Sequence, residues 1–313
     1  MADLQLIRYA EDWKDKWDAF VDSSKNGTFL FKRDYMDYHS DRFCDHSLIF
    51  LSKNSILAVL PATEAGHVFS SHAGLTYGGL VMAKGITAVE VLEIFKMIVS
   101  YLSDNCFSTF VYKPIPHIYH LIPAEEDLYA LFRYNASLSA RGLSSSILQE
   151  DRLKFRNIRK YGIRKALKNG VYVEQSSDFS AFWKILSANL SVRHGLSPVH
   201  TVEEIELLAS RFPDEIKLFV AKVDQEVIGG VVVYDTRTVA HSQYIAASPE
   251  GRDLGALDLI FDHLIHNVFS GSRYFDFGIS TEHDGQFLNE SLAYQKEGFG
   301  GRAVCYDRYE INL

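Results

Sequence analysis

The fold is decided by residues 240–280, which read AHSQYIAASPEGRDLGALDLIFDHLIHNVFSGSRYFDFGIS. This stretch opens with an apolar strand, turns through a short polar segment into an amphipathic helix and closes with a second strand, YFDFG. One face of the predicted helix is apolar, at Leu257, Ile260, Phe261, Leu264, Ile265 and Val268. The stretch therefore predicts a strand–helix–strand unit of an α/β protein.

An earlier stretch, residues 75–115, repeats this order of elements. It reads LTYGGLVMAKGITAVEVLEIFKMIVSYLSDNCFSTFVYKPI, with an apolar helix face at Ala88, Val91, Leu92, Phe95, Ile98, Val99 and Leu102. Pairs of strand patterns precede the two stretches, at 47–53, 56–62, 216–223 and 226–235, and helix patterns precede those pairs, at 11–21 and 178–190. The second pair is predicted to be a hairpin turning at Asp224-Gln225. The sequence thus predicts an internal repeat.

The chain has 313 residues, which is a natural length for two domains. Because the repeat divides it near the middle, we predict an N-terminal domain of residues 1–150 and a C-terminal domain of residues 151–313. The predicted fold class is α/β, with each domain built from a mixed β-sheet flanked by helices.

The composition is that of a globular protein, with 47% hydrophobic and 23% charged residues. The net charge of −8 argues against an extended nucleic-acid-binding surface, although a local basic site is compatible with it. Three cysteines lie far apart without metal-ligand spacing, so we expect neither a disulfide framework nor a metal site. No apolar run is long enough to span a membrane, and the N-terminus does not resemble a signal peptide. We therefore expect a cytoplasmic protein without nucleic-acid or membrane partners.

One segment departs from the acidic average. Residues 151–168 contain eight Lys or Arg and one acid, and they predict a helix that ends near Asn169-Gly170. Two interpretations remain open. The segment is either a solvated linker helix or a phosphate-binding element that uses some of Arg156, Arg159, Lys160, Arg164 and Lys165.

The order strand, turn, Arg-x-x-Gly-Ala, helix, strand resembles the core of the GNAT acyltransferases. In that family the turn reads Gln/Arg-x-x-Gly-x-Gly/Ala, and its N–H groups hold the CoA pyrophosphate at a helix N-terminus. Here the turn is Arg252-Asp253-Leu254-Gly255-Ala256-Leu257. It departs from the pattern at Leu257, and Asp253 adds a carboxylate near the expected phosphates. The resemblance implies acyl-CoA as a co-substrate on the second domain, with no tightly bound cofactor.

The C-terminal run resembles a FemAB-like, tandem-GNAT group. That group commonly ends in DFG…N…L…FKxxFGG, and this chain has Asp276-Phe277-Gly278, Asn289, Leu292, Lys296 and Phe299-Gly300-Gly301. The resemblance covers nearly the whole chain and implies two GNAT-like domains.

Within the group, SSHAGLTYGGL (70–80), YKPIPHIYH (112–120) and SPVHTVEEIELL (197–208) resemble N-acyltransferases of nucleotide-linked 3-amino-3,6-dideoxyhexoses. That resemblance implies a dTDP-amino-sugar acceptor and a role in surface polysaccharide (O-antigen, capsule or lipopolysaccharide) biosynthesis.

N-acylation requires a polarised thioester, a neutral amine held in line with it, and a path for the proton. A backbone N–H on the strand AHSQYIAAS is expected to polarise the carbonyl. If a base acts, His is the usual choice, although an amine of low pKa can also lose its proton to water. His200 and His72 are the leading candidates because they lie on loops shaped by Gly and Pro. His241 lies on the strand beside the expected thioester.

These considerations define two predicted sites. The predicted acyl-CoA site comprises Ala247, Ser248, Arg252, Gly255, Ala256, Asn289 and Lys296. The predicted acceptor site, in the cleft between the domains, comprises His72, Tyr77, Lys113, His120, His194, Gln243 and Asp276. For three residues a structural role is equally open: Asp276 as a turn anchor, Asn289 as a helix cap, and Lys296 in a surface pair with Glu297.

Two other functions are compatible with the sequence. The first is a FemAB-type aminoacyl transferase that uses aminoacyl-tRNA on a cell-wall precursor, favoured by the basic segment but disfavoured by the net charge and by the lack of a predicted long helical arm. The second is a non-catalytic protein that binds a nucleotide sugar, favoured by the imperfect turn at residues 252–257. The sequence leaves open the acyl group, the sugar stereochemistry and the oligomeric state.

Overall fold

The structure is a computed structural model that describes residues 4–194 and 197–313. Its strands form where β-branched and aromatic residues alternate with polar ones or follow each other in continuous runs, and turn residues bound these segments. In chain order the strands are β1 Leu4–Arg8, β2 Cys44–Asp45, β3 Leu48–Ser52, β4 Ser55–Leu60, β5 Thr63–Ala65, β6 Val68–Ser70, β7 Val81–Met82, β8 Thr109–Tyr112, β9 Ser137–Leu148, β10 Tyr172–Ser176, β11 Ile216–Val223, β12 Glu226–Asp235, β13 Val239–Ala247, β14 Tyr274–Ile279, β15 Thr281–Glu282, β16 Phe287–Leu288 and β17 Arg302–Asn312.

The helices follow the amphipathic patterns of the sequence. In chain order the α-helices are α1 Lys14–Ser23, α2 Arg33–Met36, α3 Ala88–Asp104, α4 Glu126–Arg133, α5 Asn157–Lys168, α6 Phe179–His194, α7 Val202–Arg211, α8 Pro249–Leu254, α9 Ala256–His263 and α10 Glu290–Gly298. Short 3₁₀ turns lie at Glu11–Trp13, Phe29–Phe31, Asp37–His39, His117–Tyr119, Gln149–Asp151 and His283–Gly285, and a π-helical turn, Leu264–Val268, extends α9.

The chain forms two compact units. Unit 1 contains residues 1–142, 281–287 and 305–313, and unit 2 contains residues 143–280 and 288–304. The last part of β9 therefore belongs to unit 2, and the last part of β17 belongs to unit 1. The domain boundary at residue 150 was predicted from the internal repeat, and it stays a prediction.

Unit 1 is built on a four-stranded antiparallel sheet in the order β1-β3-β4-β7. A second group of strands pairs β8 with β17 antiparallel and with β6 parallel. Helix α3 begins at a capping box between Thr87 and Glu90. It buries Val91, Ile94, Phe95, Ile98 and Leu102 in the core of this unit. Of the predicted helix face, Val91, Phe95, Ile98 and Leu102 are buried and Ile94 joins them, whereas Leu92 and Val99 are partly exposed and Ala88 is exposed.

Unit 2 is built on strands in the order β10-β11-β12-β13-β14-β9, in which only β13 and β14 are parallel. The predicted hairpin of β11 and β12 is confirmed, and both Asp224 and Gln225 have the positive φ that its tight turn requires. Helix α9 packs on one face of this sheet with α5 beside it, and α6 packs on β12 and β13. The core between α9 and the strands includes Phe261, Phe275 and Phe277.

The two units repeat one order of elements. Each has an antiparallel hairpin (β3–β4 or β11–β12), a third strand beside it (β7 or β13), a helix (α3 or α9) and a further strand (β8 or β14). The repeats differ at the third strand. In unit 1 it has two residues and the parallel partner of β8 is β6, whereas in unit 2 it has nine residues and pairs directly with β14. Unit 2 is therefore the unit whose third strand, β13, has the parallel neighbour β14, and an opening can form between these two strands.

Candidate functional site

Strand β13 has an extra residue opposite its neighbour β12. Val232 lies opposite Tyr244, and Val233 lies opposite Ser242, so that Gln243 has no opposite residue and forms a β-bulge. A bulge bends its strand and redirects the side chains and backbone groups beside it. Gln243 and the next two residues are partly exposed, whereas the start of the strand is buried.

The other edge of β13 faces β14 for only part of its length. Three residue pairs join the parallel strands, the last being His241 with Asp276. Within the described part of the chain, residues 242–247 have no further pairing with residues 277–279 of β14. We call these two strand ends the fork. An unpaired strand edge presents backbone N–H and C=O groups, which makes the fork the natural binding place for an extended ligand.

The turn after β13 is more helical than the sequence predicted. Ser248 caps the short helix α8, its hydroxyl accepting a hydrogen bond from the Gly251 N–H at 3.0 Å. Arg252 therefore lies inside α8 rather than at the start of a turn. Gly255 separates α8 from α9 with a φ of +81°. Ala256 is buried at the start of α9.

The Arg252 guanidinium lies beside the end of the fork. Its Nη1 donates to the carbonyl oxygen of Ala247 at 2.9 Å and to the side-chain oxygen of Asn189 at 3.1 Å. Asn189 also donates to the Ala247 carbonyl, at 2.9 Å. The side chain is otherwise exposed. Arg252 thus places a positive charge where the fork meets α8.

A buried polar network closes the base of the fork. Asp276 has no exposed surface, and its carboxylate accepts hydrogen bonds from His241 Nδ1 at 2.7 Å, from the hydroxyls of Ser144 (2.6 Å) and Ser146, and from the Gly278 N–H at 3.1 Å. Burial alone would raise the pKa of Asp276, but the bond to His241 and the two hydroxyls hold the pKa below its usual value. Four donors thus surround a carboxylate without exposed surface, which is the geometry of a structural anchor, and contact of Asp276 with a sugar stays a prediction.

Lys296 reaches the same region from α10. Only 5% of the residue is exposed, and its Nζ donates to the carbonyl oxygens of Gly278 (2.8 Å) and Ile279 (2.7 Å). Burial lowers the pKa of Lys296 to about 8, although the charge of Asp276 acts in the opposite direction. The predicted surface pair with Glu297 is wrong, since Glu297 lies 3.4 Å from Arg156 instead. The physical reason is that α10 turns Lys296 inward toward the backbone carbonyls of Gly278 and Ile279.

Two loops carry the remaining candidates of unit 2. Asn289 caps α10, its side-chain oxygen accepting from the Leu292 N–H at 3.1 Å, so the capping alternative is confirmed. His200 is buried, with Nδ1 on the Tyr244 hydroxyl and its carbonyl oxygen on the Trp183 indole at 3.0 Å. His194 ends α6, and its side chain lies outside the described residues.

Four predicted acceptor residues lie in unit 1. The passages 70–80 and 112–120 come together there, since Ser71 accepts from the Lys113 N–H at 2.8 Å and the Tyr77 and Tyr119 rings lie 4.4 Å apart. Burial lowers the pKa of Lys113 to about 8, and its Nζ donates to the Ala73 and Leu75 carbonyls. The passage 197–208 belongs to unit 2.

The two histidines of this group are buried and neutral. Burial, with the nearby charges of His39 and Lys113, lowers the pKa of His72 to about 3. Its ring stacks on His39 at 5.4 Å, and its buried Nδ1 has no partner in the described chain. Burial also lowers the pKa of His120 to about 4, while Nε2 bonds to the Ile115 carbonyl at 2.9 Å. Both can accept a proton only at low pH.

Two arginines of the basic segment make contacts with other helices of unit 2. Arg159 pairs with Asp258 of α9 at 2.7 Å, and Arg156 lies over the Tyr294 ring at 4.2 Å besides its contact with Glu297. Gly162 packs on α9 so closely that a Cβ there would meet the Asp258 carboxylate. The cations that remain at the surface of α5 are Lys160, Arg164, Lys165 and Lys168. The internal contacts account for Arg156 and Arg159, and phosphate binding by the other cations of the helix stays a prediction.

Sequence reasoning missed two members of the buried network, Ser144 and Ser146. Their spacing of two in the strand LSSSIL places both hydroxyls on one face of β9, which was the available signal. The described ranges 4–194 and 197–313 contain no group of three His, Cys, Asp or Glu residues that could hold a metal ion. Over the same ranges, no helix is long and apolar enough to cross a membrane.

Residues 154–287 match the family model of an acetyltransferase (GNAT) domain. This range contains the fork, α8 and α9. The chain matches no curated protein. Among solved structures, it is similar to FemX, with a TM-score of 0.69 at 12% identity over 99% of this chain and 97% of that one.

Two other solved structures share the fold. The C-terminal domain of a putative lysylphosphatidylglycerol synthetase from Agrobacterium fabrum has a TM-score of 0.63 at 11% identity, with coverage of 94% and 92%. A tandem GNAT protein from the clavulanic acid biosynthesis pathway has a TM-score of 0.50 at 12% identity, with coverage of 99% and 98%. The predicted fold class, α/β with two GNAT-like domains, is thereby confirmed.

Proposed function

We propose that this protein, with an acetyltransferase (GNAT) domain over residues 154–287, is an N-acyltransferase that uses acyl-CoA. The observation that carries the proposal is the fork, where the pairing of β13 with β14 stops at His241 and Asp276. An acyl-CoA arm can add to the open edge of β13 as a further strand would. A backbone N–H at that edge then stabilises the negative charge that develops on the thioester oxygen.

We place the CoA pyrophosphate on residues 247–256. Ala247 and Ser248 end the strand, Gly255 and Ala256 open α9, and Arg252 supplies the positive charge between them. Guanidinium groups bind phosphate oxygens through charge-assisted hydrogen bonds. Lys296 and Asn289 support this site indirectly, because each is engaged with backbone groups of the fork or of α10.

Arg252→Ala is expected to weaken acetyl-CoA binding about tenfold or more, since a hydrogen bond to a charged group contributes roughly 1.5–3 kcal/mol. Stability should change little because the side chain is exposed. Titration calorimetry of both proteins with acetyl-CoA measures the effect. Lys184→Ala removes one exposed positive charge from the same unit and serves as the control. Equal affinity in the Arg252 and Lys184 variants would contradict the placement of the pyrophosphate.

For the acceptor we propose the amine of a dTDP-linked 3-amino-3,6-dideoxyhexose, in surface polysaccharide biosynthesis. The support is the sequence resemblance of three passages, two of which pack on each other in unit 1 through Ser71, Tyr77, Lys113 and Tyr119. His72, Tyr77, Lys113, His120 and Gln243 stay candidate acceptor residues. The amine attacks the thioester directly, and holding both substrates in line supplies much of the rate.

Melting curves with CoA, with dTDP and with both test this proposal. A ligand at 100 times its dissociation constant adds about 2.7 kcal/mol of apparent stability. We expect a rise in Tm with each ligand and a larger rise with both. A rise with dTDP alone would instead favour a non-catalytic nucleotide-sugar-binding protein. No rise with CoA would contradict the acyl-CoA site.

Aminoacyl transfer from aminoacyl-tRNA is the second candidate function. It is supported by the surface of α5, where Lys160, Arg164, Lys165 and Lys168 have no acidic partner among the described residues. A row of cations binds a phosphate backbone with an affinity that falls steeply as salt rises. A gel-shift titration with tRNA at 50 and 200 mM salt separates the two functions. Strong, salt-sensitive binding that is lost in Arg164→Glu would favour aminoacyl transfer.

A further inference from the structure

We propose that His241 is the general base of the acyl transfer, with Asp276 orienting its ring. The inference rests on the proposed acyltransferase function and adds the residue that removes the proton from the acceptor amine. His241 stands at the last paired position of β13, at the base of the fork. In the proposed function the thioester lies on the open strand edge that begins beside this position.

The Asp276 carboxylate fixes which ring nitrogen carries the proton. Ser144 and Ser146 donate to Oδ1, so Asp276 acts as an ionised acceptor, and Oδ2 lies 2.7 Å from His241 Nδ1. An acceptor-only partner requires that Nδ1 carry hydrogen, which leaves the lone pair of the neutral ring on Nε2. A carboxylate that holds an imidazole in this tautomer also stabilises the imidazolium formed when the base takes a proton.

The second nitrogen of His241 is available. Nδ1 is engaged by Asp276, and no other group of the described chain forms a hydrogen bond with the ring. Of the side chain, 11% remains exposed. Gly278 helps to leave this space open, because a Cβ there would lie 4.0 Å from Nε2 and 3.5 Å from Cε1. Nδ1 of the ring is thus hydrogen-bonded to Asp276, whereas Nε2 is accessible to a substrate.

The other histidines fit this role less well. His200, a leading candidate from the sequence, has its Nδ1 hydrogen-bonded to the Tyr244 hydroxyl. His72 and His120 lie in unit 1, and burial keeps the pKa of each far below neutral. His241 is therefore distinguished by three features together, namely a buried carboxylate, an available nitrogen and a position at the fork.

The amine nitrogen attacks the thioester carbonyl carbon, and the new N–C bond forms as the carbonyl pair moves to oxygen. His241 Nε2 takes the proton from the attacking nitrogen. The carbonyl re-forms as the C–S bond breaks, and the proton passes from His241 to the CoA thiolate. The products are an amide and free CoA, with the imidazole neutral again.

The first test needs no substrate. In ¹⁵N-histidine-labelled protein, two-bond ¹H–¹⁵N correlation spectra at pH 7.5 report the tautomer of each ring, and His241→Gln assigns the His241 signals. We expect an Nδ1–H ring with an unprotonated Nε2, and a changed tautomer in Asp276→Asn. An Nε2–H ring or a doubly protonated ring in the wild type would overturn the proposal, whatever the protein acylates.

The second test is kinetic, with acetyl-CoA and a dTDP-3-amino-3,6-dideoxyhexose. His241→Gln is expected to lower single-turnover acetylation about 10²-fold or more while acetyl-CoA affinity stays within twofold. His266→Gln is the matched control, since its ring pairs with Asp262 at 2.9 Å on an exposed surface and should acylate normally. A loss below threefold in His241→Gln, or a larger loss in His200→Gln, would overturn the assignment.

The pH profile separates a base from a merely structural residue. The titratable groups of this region are Asp276 from β14, Lys296 from α10, Tyr244 from β13 and His200 from the loop before α7. Both proteins gain rate as the acceptor amine loses its proton; we expect the wild-type profile to contain one further ionisation that His241→Gln lacks, whereas loss of a merely structural residue would lower the rate by the same factor at every pH. Should the wild type acetylate no amino sugar, the proposed acceptor fails, and the tautomer measurement alone decides the role of His241.

Discussion

Between pH 7.5 and pH 10.5, the free energy of unfolding of the wild type is expected to rise by about 3 kcal/mol relative to that of Lys296→Met. Burial lowers the folded-state pKa of Lys296 to about 8, whereas the ordinary value is 10.5. Between these pH values the unfolded chain binds more protons than the folded chain, so this group stabilises the fold increasingly as pH rises. Below pH 8 both states are protonated, and the cost of the buried charge is fully present.

Urea unfolding at pH 7.5, 9 and 10.5 measures this effect as the difference between wild type and variant. The comparison cancels the titration of groups that both proteins share. Lys113→Met in unit 1 should behave in the same way, because burial also lowers the pKa of Lys113 to about 8. Lys160→Met, at an exposed site on α5, should leave the pH profile unchanged. If the free energy of unfolding changed with pH in the same way for wild type and Lys296→Met, the buried position of the Lys296 ammonium group would be contradicted.

Gly255→Asp is expected to destabilise unit 2 by about 3 kcal/mol or more, which lowers Tm by roughly 6–12 °C. Gly255 has a φ of +81°, a conformation that costs other residues about 1 kcal/mol or more. A Cβ would also lie 2.6 Å from the carbonyl oxygen of Gly162 and 3.0 Å from its carbonyl carbon. Both contacts are with backbone, which cannot move without separating α5 from α9.

The expected loss of stability changes how the variant Gly255→Asp, which the sequence alone suggests as a test of CoA binding, can be interpreted. As a residue of a phosphate-binding turn, Gly255 invites replacement by Asp to abolish CoA binding while the fold survives. The structure shows that such a variant tests the packing of α5 on α9 as well. Scanning calorimetry decides, with Gly271→Ala as the control, since a Cβ at Gly271 meets nothing within 4 Å. A wild-type melting curve for Gly255→Asp would contradict the close approach of the two helices.

The fold was largely predictable because its signals are local in the chain. Periodic apolar residues predicted α3 and α9, and a two-residue turn predicted the hairpin of β11 and β12. Each of these signals acts over a few residues, through backbone conformation or one helix face. The repeat of these elements then indicated two similar domains.

The candidate site was predictable only in part. The sequence directed attention to Arg252, Asp276 and Lys296, and the structure places all three beside the fork or at its base. It could not show that Arg252 lies within a helix, or that Lys296 points inward to two carbonyls. Such directions depend on how α8 and α10 pack, which no local pattern encodes.

By itself, the sequence determined the main helices and strands, their order and the place of the Arg-x-x-Gly-Ala motif in the second half of the chain. Only the tertiary structure decided that Ser144 and Ser146 meet Asp276 and that Asp276 holds His241, across separations of up to 132 residues. These contacts depend on the register of β9 against β14 and of β14 against β13. Register between distant strands is set by the packing of the whole core, because a shift of one residue would move every side chain to the opposite face.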